Sequence, residues 1–183
     1  MSETSLVRRW REISRQVVFT AKRFSILSID FLRPGNEKYP EVFIKKEPDS
    51  VGIFAITNDQ KVVMVKHYRA GPGEIVLELP AGDMDKGESP VEAALRELLE
   101  ETGFQGKKAV TVGSTYRDAY STGIFFSVVV TGCIFEGIPA EQKRHANLRK
   151  IILVPLEDFP GILESRTMTN SEAGLRGLNY LRG

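Results

Sequence analysis

Four charged side chains crowd into the segment Arg96-Glu97-Leu98-Leu99-Glu100-Glu101. On a helical wheel at 100° per residue, Glu97, Glu100 and Glu101 fall within about 100° of one another, opposite an apolar stripe of Val91, Leu95 and Leu98. Carboxylates at i, i+3 and i+4 repel by about 0.2–0.5 kcal/mol per exposed pair, and a cation relieves that repulsion. No second histidine or cysteine lies near them. The ion that suits the pattern is therefore hard and oxygen-loving, Mg²⁺ with Mn²⁺ able to substitute. On this segment alone a solvated glutamate face, with Arg96 paired to Glu92 or Glu100, is the commoner arrangement. The residues upstream shift the balance. Pro80-Ala81-Gly82 reads as a tight turn that exposes backbone, where a carbonyl can join the ligands. Glu88 stands just before the helix, placed to orient Arg96.

The elements that must position these groups follow from local pattern. Ser89-Pro90-Val91-Glu92 supplies an N-cap, a proline at the first helical position and a capping-box glutamate. Val91, Ala94, Leu95, Leu98, Leu99 and Thr102 recur at helical spacing, and Gly103 ends the segment, which predicts a helix over Pro90–Thr102. Before it the chain reads as strands: Val17 to Phe19, Phe24 to Phe31, Val42 to Lys46, and Glu74 to Leu79. Val51 to Thr57 and Lys61 to Lys66 flank Asn58-Asp59-Gln60 as a hairpin. After it, strands are expected at Ala109 to Ser114, Phe125 to Phe135 and Ile151 to Val154. A short helix should follow Pro155, and Ser171 to Leu181 should be helical. The expected class is α/β, a mixed sheet with helices packed outside it.

The chain has 183 residues, near the usual size of one domain. Lysine and arginine number 25 against 24 acidic residues, which argues against coating nucleic acid or an anionic membrane through bulk charge. Arg8-Arg9-Trp10-Arg11 and Lys143-Arg144-His145 read as solvated surface runs. Cys133 is the single cysteine, so no intrachain disulfide forms. Among Val130, Ile134 and Phe135 it reads as a buried structural thiol, and a reducing cytoplasm fits that usage. No stretch reaches the length of a membrane span, and there are no internal repeats.

Read together, Gly82-x₅-Glu88-x₇-Arg96-Glu97-Leu98-x-Glu100-Glu101-x-Gly103-Phe104 resembles the complete Nudix box, with every fixed and apolar position filled. A chance match in a chain of this length is on the order of 10⁻⁷ from average residue frequencies. Upstream, Val65-Lys66-His67-Tyr68-Arg69 followed by Glu78-Leu79-Pro80-Ala81-Gly82 resembles the ADP-ribose and nucleotide-sugar pyrophosphatase branch of that family. The resemblance implies a Nudix-type α/β/α sandwich over residues 48–183, with the box at 82–104. Residues 1–47 would be an N-terminal antiparallel strand extension and possible dimer arm. It implies Mg²⁺-dependent hydrolysis of a nucleoside diphosphate sugar by a homodimer acting on a small nucleotide. Glu97, Glu101 and the Ala81 carbonyl would hold metal, Glu100 would be a further ligand or water partner, and Arg96 with Glu88 would brace the loop and helix. Arg69 and Glu78 would belong to the substrate site, Arg69 meeting the diphosphate. Trp10, Phe19, Phe24 and Phe31 are candidates to stack on the base, with packing the commoner fate of each.

The pattern also departs from the family's. Many relatives carry a further glutamate as base or ligand, in a loop before a Val-Pro-Leu segment or just past a Ser-x-Gly turn. Here Asn147 and Phe125-Phe126-Ser127 occupy those places. Asp118 and Glu141 are the nearest substitutes, and otherwise Glu100 or Glu97 would act as base. A Nudix hydrolase of another substrate (a nucleoside triphosphate, a dinucleotide or a capped RNA) and a non-catalytic nucleotide-sugar sensor stay open on the sequence.

Overall fold

In the computed structural model, which describes residues 8–140 and 149–183, alternation along the apolar runs sets the architecture. The first strands are β1 (Arg11–Thr20), β2 (Ser25–Leu32), β3 (Lys38–Lys46), β4 (Ser50–Thr57), β5 (Lys61–Arg69), β6 (Glu74–Glu78) and β7 (Ala81–Asp83). Helix α1 (Pro90–Thr102) follows, then β8 (Phe104–Gln105), β9 (Lys108–Tyr116), β10 (Ile124–Phe135) and β11 (Arg149–Pro155). Two helices close the chain, α2 (Phe159–Leu163) and α3 (Ser171–Arg182). The expected elements are present, several of them longer than their apolar cores. Lys143-Arg144-His145, Glu141 and Asn147 lie outside the described residues.

The chain divides into two units. One comprises the described part of Met1–Pro48 with Tyr116–Gly123; the other comprises Asp49–Thr115 and the described part of Ile124–Gly183. In the first, β1, β2 and β3 form an antiparallel sheet with β2 in the middle. Trp10 packs edge-on against Phe31 and Tyr39, and the Arg33 guanidinium lies 3.8 Å from the Tyr39 ring centre. Phe19 packs on Phe24. The four aromatics singled out from the sequence thus meet neighbouring aromatic rings.

The second unit holds the mixed sheet, ordered β11-β5-β4-β10-β8, with β6 on β5, β7 on β4 and β9 on β10. β4 and β10 run parallel, and β5 is antiparallel to β4, β6 and β11. Because side chains alternate along a strand, β4 feeds two cores. Val51, Ile53 and Ala55 pack with Val63, Val128 and Val130 beneath Ala93, Ala94 and Leu98 of α1. Phe54 and Ile56 pack with Val62, Met64 and Val129 against Phe159 of α2 and Ala173 and Leu178 of α3. Both faces are covered, which is the expected sandwich. Cys133 is buried, and burial pushes its thiol up to about 11, as suits a structural cysteine.

Phe125 and Phe126 are strand residues, as expected, paired with Ser50 and Val51 and packed into opposite cores. One local expectation is corrected. Ala81-Gly82 is not a tight turn: it opens β7, whose backbone pairs with β4 at Gly52 and Val51.

Candidate active site

Helix α1 forms as its sequence dictates. Ser89 caps it, the Ser89–Glu92 capping box is closed in both directions, and Gly103 ends it in the left-handed conformation. Its buried face differs from the wheel drawn from the sequence. The residues fully covered are Ala93, Ala94, Leu98 and Thr102, whereas Val91 and Leu95 are only partly covered. At 100° per residue Glu97 and Glu101 fall inside that arc, between Ala93 and Leu98. The small alanines let the helix lie close to the sheet, and the two carboxylates are carried under it. Glu97 and Glu101 side chains are only 15% and 13% exposed, against 33% for Glu100.

Arg96 organises the near end. Its Nε and Nη2 donate to the two oxygens of Glu88 at 2.9 and 2.8 Å, Nη1 donates to Glu97 Oε1 at 2.8 Å, and Nη2 also reaches the Asp83 carbonyl at 3.1 Å. This is the bidentate fork that suits a guanidinium. Glu100 Oε2 lies farther off, at 3.7 Å. Arg96 does not pair with Glu92, which is occupied in the capping box. The Arg96 bond holds Glu88 below the usual carboxylate range, and Glu88 in turn raises Arg96. Gly82 explains itself here: a Cβ at that position would overlap the Glu97 carboxylate.

Glu101 is held from two sides. Oε2 accepts the Ala81 N–H at 3.1 Å, and Oε1 accepts from Arg149 Nη1 at 2.5 Å. Burial nevertheless outweighs these contacts and raises the Glu101 carboxyl, as it raises Glu97 against the attraction of Arg96. Arg149 was invisible from sequence: it lies 48 residues from Glu101, at the start of a strand recognised only by its apolar run.

A second carboxylate cluster sits at the end of β6. Glu78, 4% exposed, accepts from His67 Nε2 at 2.6 Å, from Arg69 Nε and Nη2 at 2.9 and 2.6 Å, and from the Thr169 hydroxyl. Burial opposes its charge, but the Arg69, Thr169 and His67 bonds together win and lower it. Arg69 stays 47% exposed, its guanidinium anchored to Glu78 along one edge. Next door, the Asn170 side chain bonds both the Leu79 N–H, at 3.1 Å, and the Leu79 carbonyl, at 2.9 Å. Neither Thr169 nor Asn170 was marked by any motif. The Asp118 carboxylate accepts the Tyr120 N–H at 2.6 Å within its own turn.

The candidate metal donors are all oxygen: the Glu97, Glu100 and Glu101 carboxylates and the Ala81 carbonyl. Among the described residues, no three His, Cys, Asp or Glu side chains close around a common point as they stand. Glu97 faces Arg96 and Gly82, and Glu101 faces Ala81 and Arg149. The donor chemistry still fits a hard divalent ion, because every candidate donor is an oxygen and three are carboxylates.

The NUDIX domain model matches residues 46–173. The chain is 31% identical over 175 residues to the ADP-ribose pyrophosphatase of Bacillus subtilis, covering 94% of this chain and 92% of that protein. It is 39% identical over 122 residues to the ADP-ribose pyrophosphatase of Saccharomyces cerevisiae, covering 61% of this chain and 52% of that protein. Among solved structures, an ADP compounds hydrolase superposes with a TM-score of 0.77 at 21% identity, covering 96% of this chain and 94% of that one. The chain belongs to the Nudix family. Its pyrophosphatases depend on a divalent metal ion as a class.

Proposed function

We propose that this protein hydrolyses the diphosphate of ADP-ribose, or of a closely related nucleoside diphosphate sugar, to a nucleoside monophosphate and a sugar phosphate. The observation that carries the reading is the pairing of a complete box helix, with Glu97 and Glu101 buried beside β7, with an arginine presented by a buried glutamate. The near full-length likeness to a protein named for ADP-ribose supports the choice of substrate.

The residues divide the work. Glu97, Glu100, Glu101 and the Ala81 carbonyl would hold Mg²⁺, or Mn²⁺ in its place. When bound, the ion supplies charge neutralisation of the diphosphate and a water of lowered pKa. Arg96, fixed by Glu88, holds Glu97 in position. Arg69, fixed by Glu78, offers its exposed nitrogens to phosphate oxygens. Glu100, the most exposed of the three glutamates, is the group best placed to take a proton from the attacking water. A homodimer in a reducing cytoplasm completes the reading. The apolar β1 residues Ile13, Val17, Val18 and Phe19 are exposed, and a second copy would cover part of them.

The test is a substrate panel with Mg²⁺: ADP-ribose, UDP- and GDP-sugars, dinucleotides and nucleoside triphosphates, products resolved by chromatography, with sedimentation run on the same sample. Monophosphate release from ADP-ribose or another nucleotide sugar by a dimer is expected. Turnover of triphosphates alone would sink the substrate assignment, and binding of nucleotide sugars without turnover would make the protein a sensor.

A further inference from the structure

The contact between Arg149 and Glu101 has no part in the roles assigned above. Arg149 begins β11 and reaches Glu101 Oε1 at 2.5 Å, while the other oxygen, Oε2, accepts the Ala81 N–H at 3.1 Å. The two bonds differ in kind. Ala81 is fixed because β7 pairs with β4 along its backbone. Arg149 comes on a long side chain, 30% exposed, that has room to swing outward.

A divalent ion on Glu101 needs an oxygen lone pair, and a guanidinium in direct contact with the same carboxylate competes for it and repels the ion. At contact distances, charges of like sign repel by several kcal/mol even at the effective dielectric of a protein surface. The attraction of Arg149 already offsets part of the burial penalty on Glu101. Guanidinium and metal thus compete for the same Glu101 oxygen, Oε1, which Arg149 now occupies. Arg149 is the register partner of His67 across β11 and β5, and His67 shares Glu78 with Arg69.

We propose that Arg149 is an internal counter-ion of Glu101 that a divalent ion must displace, so that this arginine sets the metal affinity of the site. Arg149 is therefore a positioning residue that acts through Glu101. The proposal rests on the metal assignment given under the proposed function.

The test needs no substrate. Mn²⁺ is titrated into the wild-type protein, Arg149→Gln and Arg149→Lys, and the free ion is followed by its paramagnetic resonance signal. Removing the charge-assisted bond should tighten Mn²⁺ binding in Arg149→Gln by about tenfold or more. Arg149→Lys, which keeps the charge but shortens the reach and loses the guanidinium, should fall between the two and serves as the folded comparison if Arg149→Gln is unstable. Melting curves with and without Mn²⁺ should show a larger metal-induced rise in Tm for Arg149→Gln than for wild type. Equal or weaker Mn²⁺ affinity in the variants, beside clear binding by wild type, overturns the counter-ion and leaves the metal site standing. Failure of the wild-type protein to bind Mn²⁺ overturns the metal assignment, and the counter-ion with it.

Discussion

Glu78 and Glu101 are both buried carboxylates beside arginine, yet they shift in opposite directions. Glu78 receives bonds from Arg69, His67 and Thr169 and lies below the usual carboxylate range. Glu101 receives one arginine contact and one backbone N–H and lies above it. Burial penalises both charges; the bonds to Glu78 outweigh that penalty, and those to Glu101 do not. A carboxylate satisfied by the protein is available for positioning a neighbour, here Arg69. One left short of donors, like Glu101 or Glu97, is available to an ion.

That contrast predicts unequal losses. Glu97→Gln and Glu101→Gln should each lower kcat by more than roughly a hundredfold, beyond the cost of losing a residue that only orients a ligand. The fold should survive in both, as checked by circular dichroism. Near-normal turnover in either variant would remove that glutamate from the metal set. Changes at the other cluster should act on binding first. Arg69→Ala should raise KM by about tenfold or more through lost phosphate contacts, with a smaller change in kcat. Glu78→Gln should raise KM similarly by freeing Arg69, and cost about 1–3 kcal/mol of stability, measured by urea unfolding. A Glu78→Gln enzyme with unchanged KM would reduce Glu78 to a packing role.

The smallest effect concerns pH. For Glu97 and Glu101 the folded values are raised, so folding favours their protonated forms. Lowering the pH through those raised values, towards the ordinary carboxylate value of about 4.3, adds stability. Glu78 and Glu88 work the other way. Their contribution is complete above the ordinary value and is lost as the pH falls through their lowered folded values. Melting temperature should therefore rise modestly on mild acidification and fall on stronger acidification. Glu97→Gln/Glu101→Gln should erase the rise and keep the fall; a rise that persists in the double variant would contradict the assigned shifts.

Much of this was legible in sequence because it is local. The cap Ser89, the proline at 90, Glu92 and Gly103 fix α1 within its own turns, and the Glu88–Arg96 fork spans a single loop. The apolar run of Val51 to Thr57, read as a hairpin strand, forms one. The wheel misjudged which arc of α1 is buried, because apolarity alone ranked Val91 and Leu95 above the alanines. Close approach to the sheet selected the small side chains instead. Arg149, Thr169 and Asn170 lay beyond reach for another reason. Each acts across 48 or 91 residues, where only the completed sheet register decides who meets whom.

The Asn170 clamp on Leu79 carries a consequence for synthesis. Leu79 immediately precedes the Pro80-Ala81-Gly82 edge against which the box helix is laid, and its backbone bonds are closed by an amide 91 positions later. Contacts of such separation form late, after the costly closure of a long loop. A ribosome-bound chain can wind α1 as soon as that helix emerges, yet the segment bearing Glu78 and Leu79 waits for Thr169 and Asn170. Glu78, which holds Arg69 through one oxygen, thus gains the Thr169 bond to its other oxygen only after residue 169 has been made.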